Sequence, residues 1–212
     1  MNYLIIGANG RQGRLLTEKA VLRGHTVTAL TPGGMEGVGF KGNVLKKSLF
    51  DLTEADLTGM DVVLSAFGAG FDADPALNRQ AIDHLIKLIE GKPISLLILG
   101  GAGTLYTDAS HTLRVWETPE HPDFLRGISQ NLSLALDDLR ASSLSDWTFL
   151  CPSLVFDYDG AETGTWKIGT NGEVLYNAQG KSRISYRDFA CAMIQEAETR
   201  EHKKMQITVC EI

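Results

Sequence analysis

Three glycines near the start of the chain have the spacing of a nucleotide-binding turn. Gly7, Gly10 and Gly13 follow the apolar run 2–6 and precede a segment with helical periodicity. Gly7 permits a tight turn after a strand, Gly10 lets the backbone approach a pyrophosphate, and Gly13 lets the helix pack closely on the strand. Because the first N–H groups of a helix are free, this point also stabilises an anion. The spacing predicts a dinucleotide site.

The elements around these glycines favour that interpretation over an ordinary turn without a ligand. Residues 14–23 form an amphipathic pattern, Gly24 can cap the resulting helix, and residues 26–30 have the composition of a second strand. A glycine triplet alone is weak evidence, because plain strand-to-helix turns also produce it. A complete βαβ unit around the triplet predicts a cofactor-binding fold.

The middle of the chain continues to alternate between strand and helix patterns. Further strands are predicted at 43–46, 61–67, 95–99 and 147–151, and helices at 75–90 and 125–143. The second of these helices places Leu132, Leu136 and Leu139 on one buried stripe. This alternation is typical of an α/β protein with a doubly wound parallel sheet covered by helices on both faces.

The pattern changes after residue 152, where glycines separate short segments at 165–168 and 173–176. Asn171 and Gly172 between those segments predict a hairpin turn. A last helix at 186–199 and a last strand at 205–209 follow. Because no linker or repeat interrupts the chain, we expect residues 1–212 to form one domain, with a small cap built mainly from 153–185.

Composition excludes several classes of protein. The 212 residues are 43% hydrophobic and carry a net charge of −6, which gives no basic surface for nucleic acid. Cys151, Cys191 and Cys210 lack the spacing of a metal site, so no metal is predicted. No apolar run approaches the length of roughly twenty residues that a membrane-spanning helix needs. These features predict a cytoplasmic protein without a membrane partner, present as a monomer or a homodimer.

Several further segments carry a resemblance to a known family. They are Gly-Gly-Ala-Gly at 100–103, Trp-Thr-Phe-Leu-Cys-Pro-Ser at 147–153, Thr-Gly at 163–164 with Ile-Gly at 168–169, and Arg-Ile-Ser-Tyr-Arg-Asp-Phe-Ala at 183–190. Together with the glycine triplet they resemble the atypical short-chain dehydrogenase/reductases, in particular the NADH-flavin reductase group and its NmrA-like and biliverdin reductase B-like relatives. The resemblance covers essentially the whole chain and implies a Rossmann-like fold. The group contains reductases, epimerase-like members and non-catalytic sensors.

The resemblance also implies contacts along an NAD(P) cofactor, chiefly at the ends of strands. The implied pyrophosphate contacts are Gly7, Asn9, Gly10, Arg11, Gln12 and Gly13. The implied contacts elsewhere are Thr31, Ser48 and Leu49 for the adenosine, Ser65, Ala66, Phe67 and Gly68 for the middle of the cofactor, and Gly100, Gly101, Pro152, Ser153 and Leu154 near the nicotinamide. Relatives commonly have an acidic residue where this chain has Ser48.

The end of the second strand bears on the choice between NAD and NADP. An NAD site usually has a carboxylate there that holds the ribose hydroxyls, whereas this chain has Thr31 followed by Pro32. Relatives often have an arginine where Pro32 stands. Arg11, and also Lys41, are the cations that could reach a 2′-phosphate. Because no carboxylate repels a phosphate here, the sequence favours NADP over NAD.

The catalytic pair of standard short-chain dehydrogenases is missing. None of the five tyrosines has a lysine four residues later, and the serine expected after the fifth strand is replaced by glycine and alanine. Alcohol oxidation needs a general base, whereas hydride transfer to a flavin or quinone ring can take its proton from solvent. The sequence therefore predicts an NAD(P)H-dependent reductase of a flavin-like or quinone-like acceptor, for which FMN is a possible substrate. A nucleotide-binding sensor without catalysis remains the alternative.

The residues that could assist such a reaction lie in the long loop after the fifth strand. Thr104 is the nearest hydroxyl to the glycine turn, and Tyr106 and His111 follow in the same loop. His121, at the end of the loop, is a further possible proton donor. We expect catalysis to depend on holding the nicotinamide against the acceptor, with no single dedicated acid.

Overall fold

The computed structural model describes residues 1–36 and 39–212 and has a mostly parallel sheet between two layers of helices. The strands are β1 (Asn2–Ile6), β2 (Thr26–Leu30), β3 (Asn43–Leu45), β4 (Val62–Ser65), β5 (Ser95–Leu99), β6 (Trp147–Pro152), β7 (Val155–Asp157), β8 (Trp166–Gly169), β9 (Arg183–Ser185) and β10 (Met205–Glu211). The helices are α1 (Arg11–Leu22), α2 (Ala76–Ile89), α3 (Asp123–Ala141) and α4 (Tyr186–Thr199).

Eight strands form the main sheet in the order β3-β2-β1-β4-β5-β6-β10-β8. All pairs in this sheet are parallel except β10 with β8. The chain runs outward from β1 to β3 in one direction and from β4 onward in the other. The predicted Rossmann-like fold is confirmed, and its ligand crevice lies above the carboxyl ends of β1 and β4, where the direction reverses.

Side chains alternate between the two faces of β1 and so divide the core into two layers. Leu4 and Ile6 pack in the cluster that contains the buried stripes of α2 and α3. Tyr3 and Ile5 pack in the cluster that contains α1 and α4. Each layer contains one pair of helices. Packing of these helices against the strands positions the helix ends relative to the strand ends. The predicted buried positions Leu132, Leu136 and Leu139 lie in the first layer.

The segment between β6 and α4 departs from the predicted hairpin. Gly172 has a positive φ of 71°, as a tight turn requires. However, β8 before the turn pairs with β10, and residue 174 after it donates its N–H to the Tyr106 carbonyl at 2.9 Å. The hairpin prediction is wrong because both segments find other partners. The cap region therefore contributes β8 to the main sheet and a separate two-stranded ribbon of β7 with β9.

A membrane span, a metal site and a disulfide would each need particular features in the described residues. No helix in residues 1–36 and 39–212 is long and apolar enough to cross a membrane. Within the same residues, histidines, cysteines and carboxylates form no group of three that could hold a metal ion. Cys151, Cys191 and Cys210 are all buried free thiols.

Candidate functional site

The turn between β1 and α1 depends on two glycines for its backbone packing. Gly7 has a φ of 73°, and a Cβ atom there would lie 2.7 Å from the Ala66 carbonyl oxygen. A Cβ atom on Gly13 would lie 2.0 Å from the Gly7 carbonyl oxygen. Because both neighbours are backbone atoms, neither position tolerates a side chain without movement of β1, β4 or α1. These glycines bring the helix start down onto the strand ends.

Gly10 has a different environment, which suits a bound anion. It precedes α1, and a Cβ atom there would meet only the Gly7 oxygen at 3.1 Å, with open space beyond it. The first turn of α1 has no side-chain cap and no acidic residue. Free N–H groups at an uncapped helix start stabilise negative charge. The residues present therefore fit the pyrophosphate that the glycine spacing predicts.

A cavity of about 640 Å³ lies beside Gly10, and three arginines and the Asp159 carboxylate line it. Its lining includes Arg11, Arg14 and Arg187. The Arg11 guanidinium lies 4.8 Å from the centre of the Tyr158 ring. Of these three arginines, the glycine motif in the sequence marks only Arg11 as a candidate contact. Arg14 was detectable, because residues three apart share one face of a helix, whereas Arg187 comes from α4 through the tertiary fold.

Arg14 is hydrogen-bonded to Asn9, a residue of the turn between β1 and α1. Its Nε atom donates to the Asn9 carbonyl oxygen at 2.9 Å, and the guanidinium also donates to the Asn9 side-chain oxygen. The Asn9 amide nitrogen lies 3.6 Å from where a Cβ atom on Gly33 would stand. Gly33 belongs to the turn after β2. The Asn9 side chain, which Arg14 holds, therefore lies beside the turn after β2, near the strand end at which NAD and NADP are distinguished.

The remaining predicted adenosine and mid-cofactor residues lie at the ends of β2, β3 and β4. Thr31 is buried and donates its N–H to the Leu45 carbonyl at 3.1 Å. The Ser48 hydroxyl accepts a hydrogen bond from the Phe50 N–H at 3.2 Å, and Leu49 is buried behind it. Ser65 ends β4 and is buried, and residues 66–68 follow it at the carboxyl end of that strand.

A second cavity, of about 690 Å³, opens above the ends of β5 and β6. We call it the acceptor cavity after the hydride acceptor that the sequence predicts beside the nicotinamide. The predicted nicotinamide contacts Gly100, Gly101, Pro152, Ser153 and Leu154 all line it. The rest of its wall comes from the loop and the first turns of α3 and from a few residues elsewhere. These residues are Leu99, Ala102, Gly103, Thr107, Val115, Thr118, Glu120, His121, Pro122, Leu125, Ile128, Ser129, Leu132, Phe156, Val174, Tyr176 and Tyr186. Apolar side chains and backbone dominate this lining, as is typical of sites for small organic molecules.

One buried polar pair stands out in the acceptor cavity. The Ser129 hydroxyl and the His121 Nε2 atom are 3.1 Å apart, and both residues are less than a tenth exposed. A Cβ atom on Gly103 would lie 2.2 Å from the Ser129 Oγ atom, so a glycine is needed there to make room for the pair. Burial lowers the pKa of His121 below its ordinary value, which keeps the imidazole neutral near pH 7.

The loop residues predicted to assist the reaction lie behind the cavity wall. Thr104 is buried, donates to the Gly101 carbonyl at 2.8 Å and accepts from the Gln206 amide at 3.0 Å. Tyr106 stacks on His111 with ring centres 4.5 Å apart, and His111 Nε2 lies 3.0 Å from a Glu173 carboxylate oxygen. The structure thus places Tyr106 and His111 together as a brace for the loop and Thr104 apart from them.

Aromatic side chains separate the acceptor cavity from the arginine-lined cavity. Phe156 and Tyr186 line the former, with ring centres 3.8 Å apart, and Tyr158 lines the latter. Tyr158 meets Tyr186 edge to face at 5.5 Å. The Gln12 amide donates to the Tyr186 carbonyl at 3.2 Å, which joins the glycine turn to this aromatic wall. The two cavities therefore lie on either side of this aromatic wall.

Comparison with known proteins agrees with this geometry. A family model described as NAD(P)H-binding matches residues 7–199. The chain is 37% identical over 210 residues to the uncharacterised Bacillus subtilis protein YwnB, covering 99% of this chain and 98% of that one. The crystal structure of a Streptococcus pneumoniae protein described as a putative NADH-flavin reductase is 37% identical, covers 100% of both chains and has a TM-score of 0.93.

A more distant structure shares the fold. The anaerobillin reductase ChuY from Escherichia coli O157:H7 is 18% identical, covers 100% of this chain and 97% of its own, and has a TM-score of 0.75. The glycine turn, the open space at Gly10 and the uncapped start of α1 all lie within the matched residues 7–199. The chain belongs to the NAD(P)H-binding family.

Proposed function

We propose that the protein is an NAD(P)H-dependent reductase that transfers a hydride to a flavin-like or quinone-like ring. The observation that carries this proposal is the position of the acceptor cavity, which is apolar, opens at the ends of β5 and β6 and adjoins the anion-binding turn. A ring held in this cavity would lie beside the nicotinamide contacts predicted at 100–101 and 152–154. The Streptococcus pneumoniae relative supports the same acceptor class.

Each part of the crevice has a separate task in this proposal. The bound nucleotide supplies the hydride. The free N–H groups that follow Gly10 hold its phosphates, and the glycines at 100, 101 and 103 line the cavity in which the flat ring would bind above the strand ends. Apolar side chains of α3 exclude water from the reacting atoms. Because reduction of such a ring needs no base at a carbinol oxygen, the absence of a Tyr-x-x-x-Lys pair is compatible with turnover.

We further propose that NADP is preferred over NAD. The end of β2 carries Thr31 in place of a carboxylate, and Asn9, Arg11 and Arg14 line the neighbouring cavity. Glu36, whose carboxylate lies beside Gly34 in the following turn, is neutralised by its ion pair with Lys46. A guanidinium group binds a phosphate through charge-assisted hydrogen bonds, whereas a carboxylate at this position would repel it.

Oxidation of NADPH and NADH, followed at the nicotinamide absorbance with riboflavin, FMN or a quinone as acceptor, tests the proposal. We expect turnover with at least one of these acceptors and a lower KM for NADPH than for NADH. Tight nucleotide binding without turnover of any acceptor would contradict the reductase proposal. In that case the molecule would be a nucleotide-binding sensor.

A further inference from the structure

The wall of the acceptor cavity is almost free of charge. Among the described residues that line it there is no lysine or arginine, and Glu120 is the single carboxylate. An anionic group on an acceptor would therefore meet no cation in the wall and one group of like charge. Because an unpaired charge is costly in a largely apolar site, this lining selects against anionic ring systems.

The arginines that lie close by are engaged with the loop behind the wall. Arg126 donates hydrogen bonds to the carbonyl oxygens of Trp116, Thr118 and His121. Arg114 donates to the Thr104 carbonyl at 3.3 Å, and its guanidinium lies 5.0 Å from the centre of the Tyr106 ring. These contacts hold the cations on backbone and aromatic groups, so neither arginine supplies a counter-charge inside the cavity.

Apart from the exposed Glu120, the polar side chains in the cavity wall are uncharged. Among them, the Ser129 hydroxyl and the neutral His121 imidazole form a buried pair, against which Gly103 packs so closely that a side chain there would clash with Ser129. Such a pair can exchange a hydrogen bond with a ring N–H or carbonyl without burying a charge. A flat neutral ring with polar atoms on one edge matches a cavity whose wall is largely apolar and includes this buried polar pair.

We infer that the acceptor is an uncharged planar ring without a phosphate or carboxylate, held at its polar edge by the Ser129 hydroxyl, which its hydrogen bond with His121 orients. This inference rests on the proposed reductase function and narrows its substrate class. It favours riboflavin-like or quinone-like molecules over FMN and over ring systems with carboxylate side chains. Glu120 acts as the charge filter, and Ser129 acts as the contact for the ring edge.

Direct binding of two flavins that share a ring tests the charge filter. Riboflavin and FMN differ by one phosphate, and quenching of their fluorescence reports binding whether or not reduction occurs. With NADP⁺ present, we expect riboflavin to bind at least about tenfold more tightly than FMN. Glu120→Gln should narrow this gap and Glu120→Lys should narrow it further or reverse it. Equal or tighter binding of FMN to the unaltered protein, or no binding of riboflavin, would overturn the inference.

A matched pair of serine variants tests the contact at the ring edge. Ser129 lines the cavity, whereas Ser133, one turn along α3, is also buried but donates to the Ser129 carbonyl at 2.9 Å, outside the cavity wall. We expect Ser129→Ala to weaken riboflavin binding about tenfold and Ser133→Ala to leave it unchanged, with NADP⁺ affinity intact in both. Equal losses in the two variants would assign Ser129 a packing role and contradict the inference.

The two proposals fail in different ways. Selective binding of riboflavin without NADPH oxidation would contradict the reductase function but not the charge preference of the cavity. Reduction of FMN at a kcat/KM equal to or above that of riboflavin would preserve the reductase function and overturn the charge preference.

Discussion

The three glycines of the nucleotide turn have distinct physical tasks, although their spacing makes them look equivalent. Gly7 and Gly13 are required because backbone atoms stand within 2.7 and 2.0 Å of where their Cβ atoms would lie. Gly10 borders open space instead. Substitution at the first two positions disturbs the fold, whereas substitution at the third obstructs the crevice.

Replacement of Gly10 by valine should therefore separate binding from folding. The valine side chain would occupy the space predicted for the pyrophosphate, so NADPH affinity should fall by at least about tenfold with little change in Tm. Gly13→Ala is the contrasting variant, because its methyl group would clash with the Gly7 carbonyl and lower Tm. Unchanged nucleotide affinity in Gly10→Val would remove the basis of the nucleotide site.

The arginines beside Gly10 should differ in their effect on cofactor choice. Because Arg14 holds Asn9 beside the turn after β2, Arg14→Ala should weaken NADPH binding by about 1–3 kcal/mol and leave NADH nearly unchanged. Arg11→Ala is the matched variant on the Tyr158 side of the same cavity. Calorimetric titration with both nucleotides measures the difference.

Other outcomes of that titration have clear meanings. If Arg11→Ala lost affinity for NADPH but not for NADH, the contact with the 2′-phosphate would be assigned to Arg11, the residue that the sequence alone favours. Equal losses for NADPH and NADH in Arg14→Ala would contradict its role in cofactor choice and place it on the shared pyrophosphate.

At the scale of elements, the loop between β5 and α3 is braced by stacked side chains. Arg114 and His111 stack with the Tyr106 ring, and His111 also reaches Glu173 in the segment before α4. This brace holds the loop that forms one wall of the acceptor cavity. Its members influence catalysis through the position of the wall, since none of the three lines the cavity.

Single substitutions at Thr104, Tyr106 or His111 should accordingly have modest effects on turnover. We expect kcat with NADPH and riboflavin to fall by about tenfold or less, below the roughly 10²- to 10⁴-fold loss that follows removal of a general acid or base. Steady-state kinetics of Thr104→Val, Tyr106→Phe and His111→Asn measures this. A thousandfold loss in any of them, with nucleotide affinity intact, would identify a dedicated proton donor.

His121 should make the attachment of this loop to α3 sensitive to pH. Because burial lowers the pKa of His121 in the folded chain, the unfolded chain binds this proton more readily below the ordinary pKa of about 6.5. The free energy of unfolding should therefore fall as the pH drops from about 7 toward 5. Denaturant titrations of the unaltered protein and of His121→Gln isolate this contribution as the difference between their pH slopes. Identical slopes would contradict it.

At the scale of the whole molecule, strongly periodic segments were predictable and contacts between distant segments were not. The sequence predicts β5 at 95–99 and α4 at 186–199 with the observed bounds, because their composition and periodicity agree with their burial. The predicted hairpin after β8 is wrong. Asn171 and Gly172 indicate only a local turn, whereas the strand that pairs with β8 is β10, about forty residues later.

The acceptor cavity shows the same limit. Its glycine floor and the 152–154 segment were predicted, because strand ends can be located from sequence. The pair of His121 and Ser129 was not, because it forms only when the end of a loop, the first turns of α3 and Gly103 come together in the folded chain. Neither residue type nor spacing in the sequence marks these three positions as neighbours.

The position of β10 inside the sheet has a consequence for how the protein is made. β10 lies between β6 and β8, and both of these partners precede it in the chain. During synthesis the chain emerges from its N-terminal end, so β6 has an open edge and β8 lacks its partner until residues 205–211 appear. Open edges pair readily with other chains, and pairing of distant segments is slow. The interval before β10 emerges is therefore the stage of biosynthesis at which nascent chains are most exposed to aggregation and to chaperone binding.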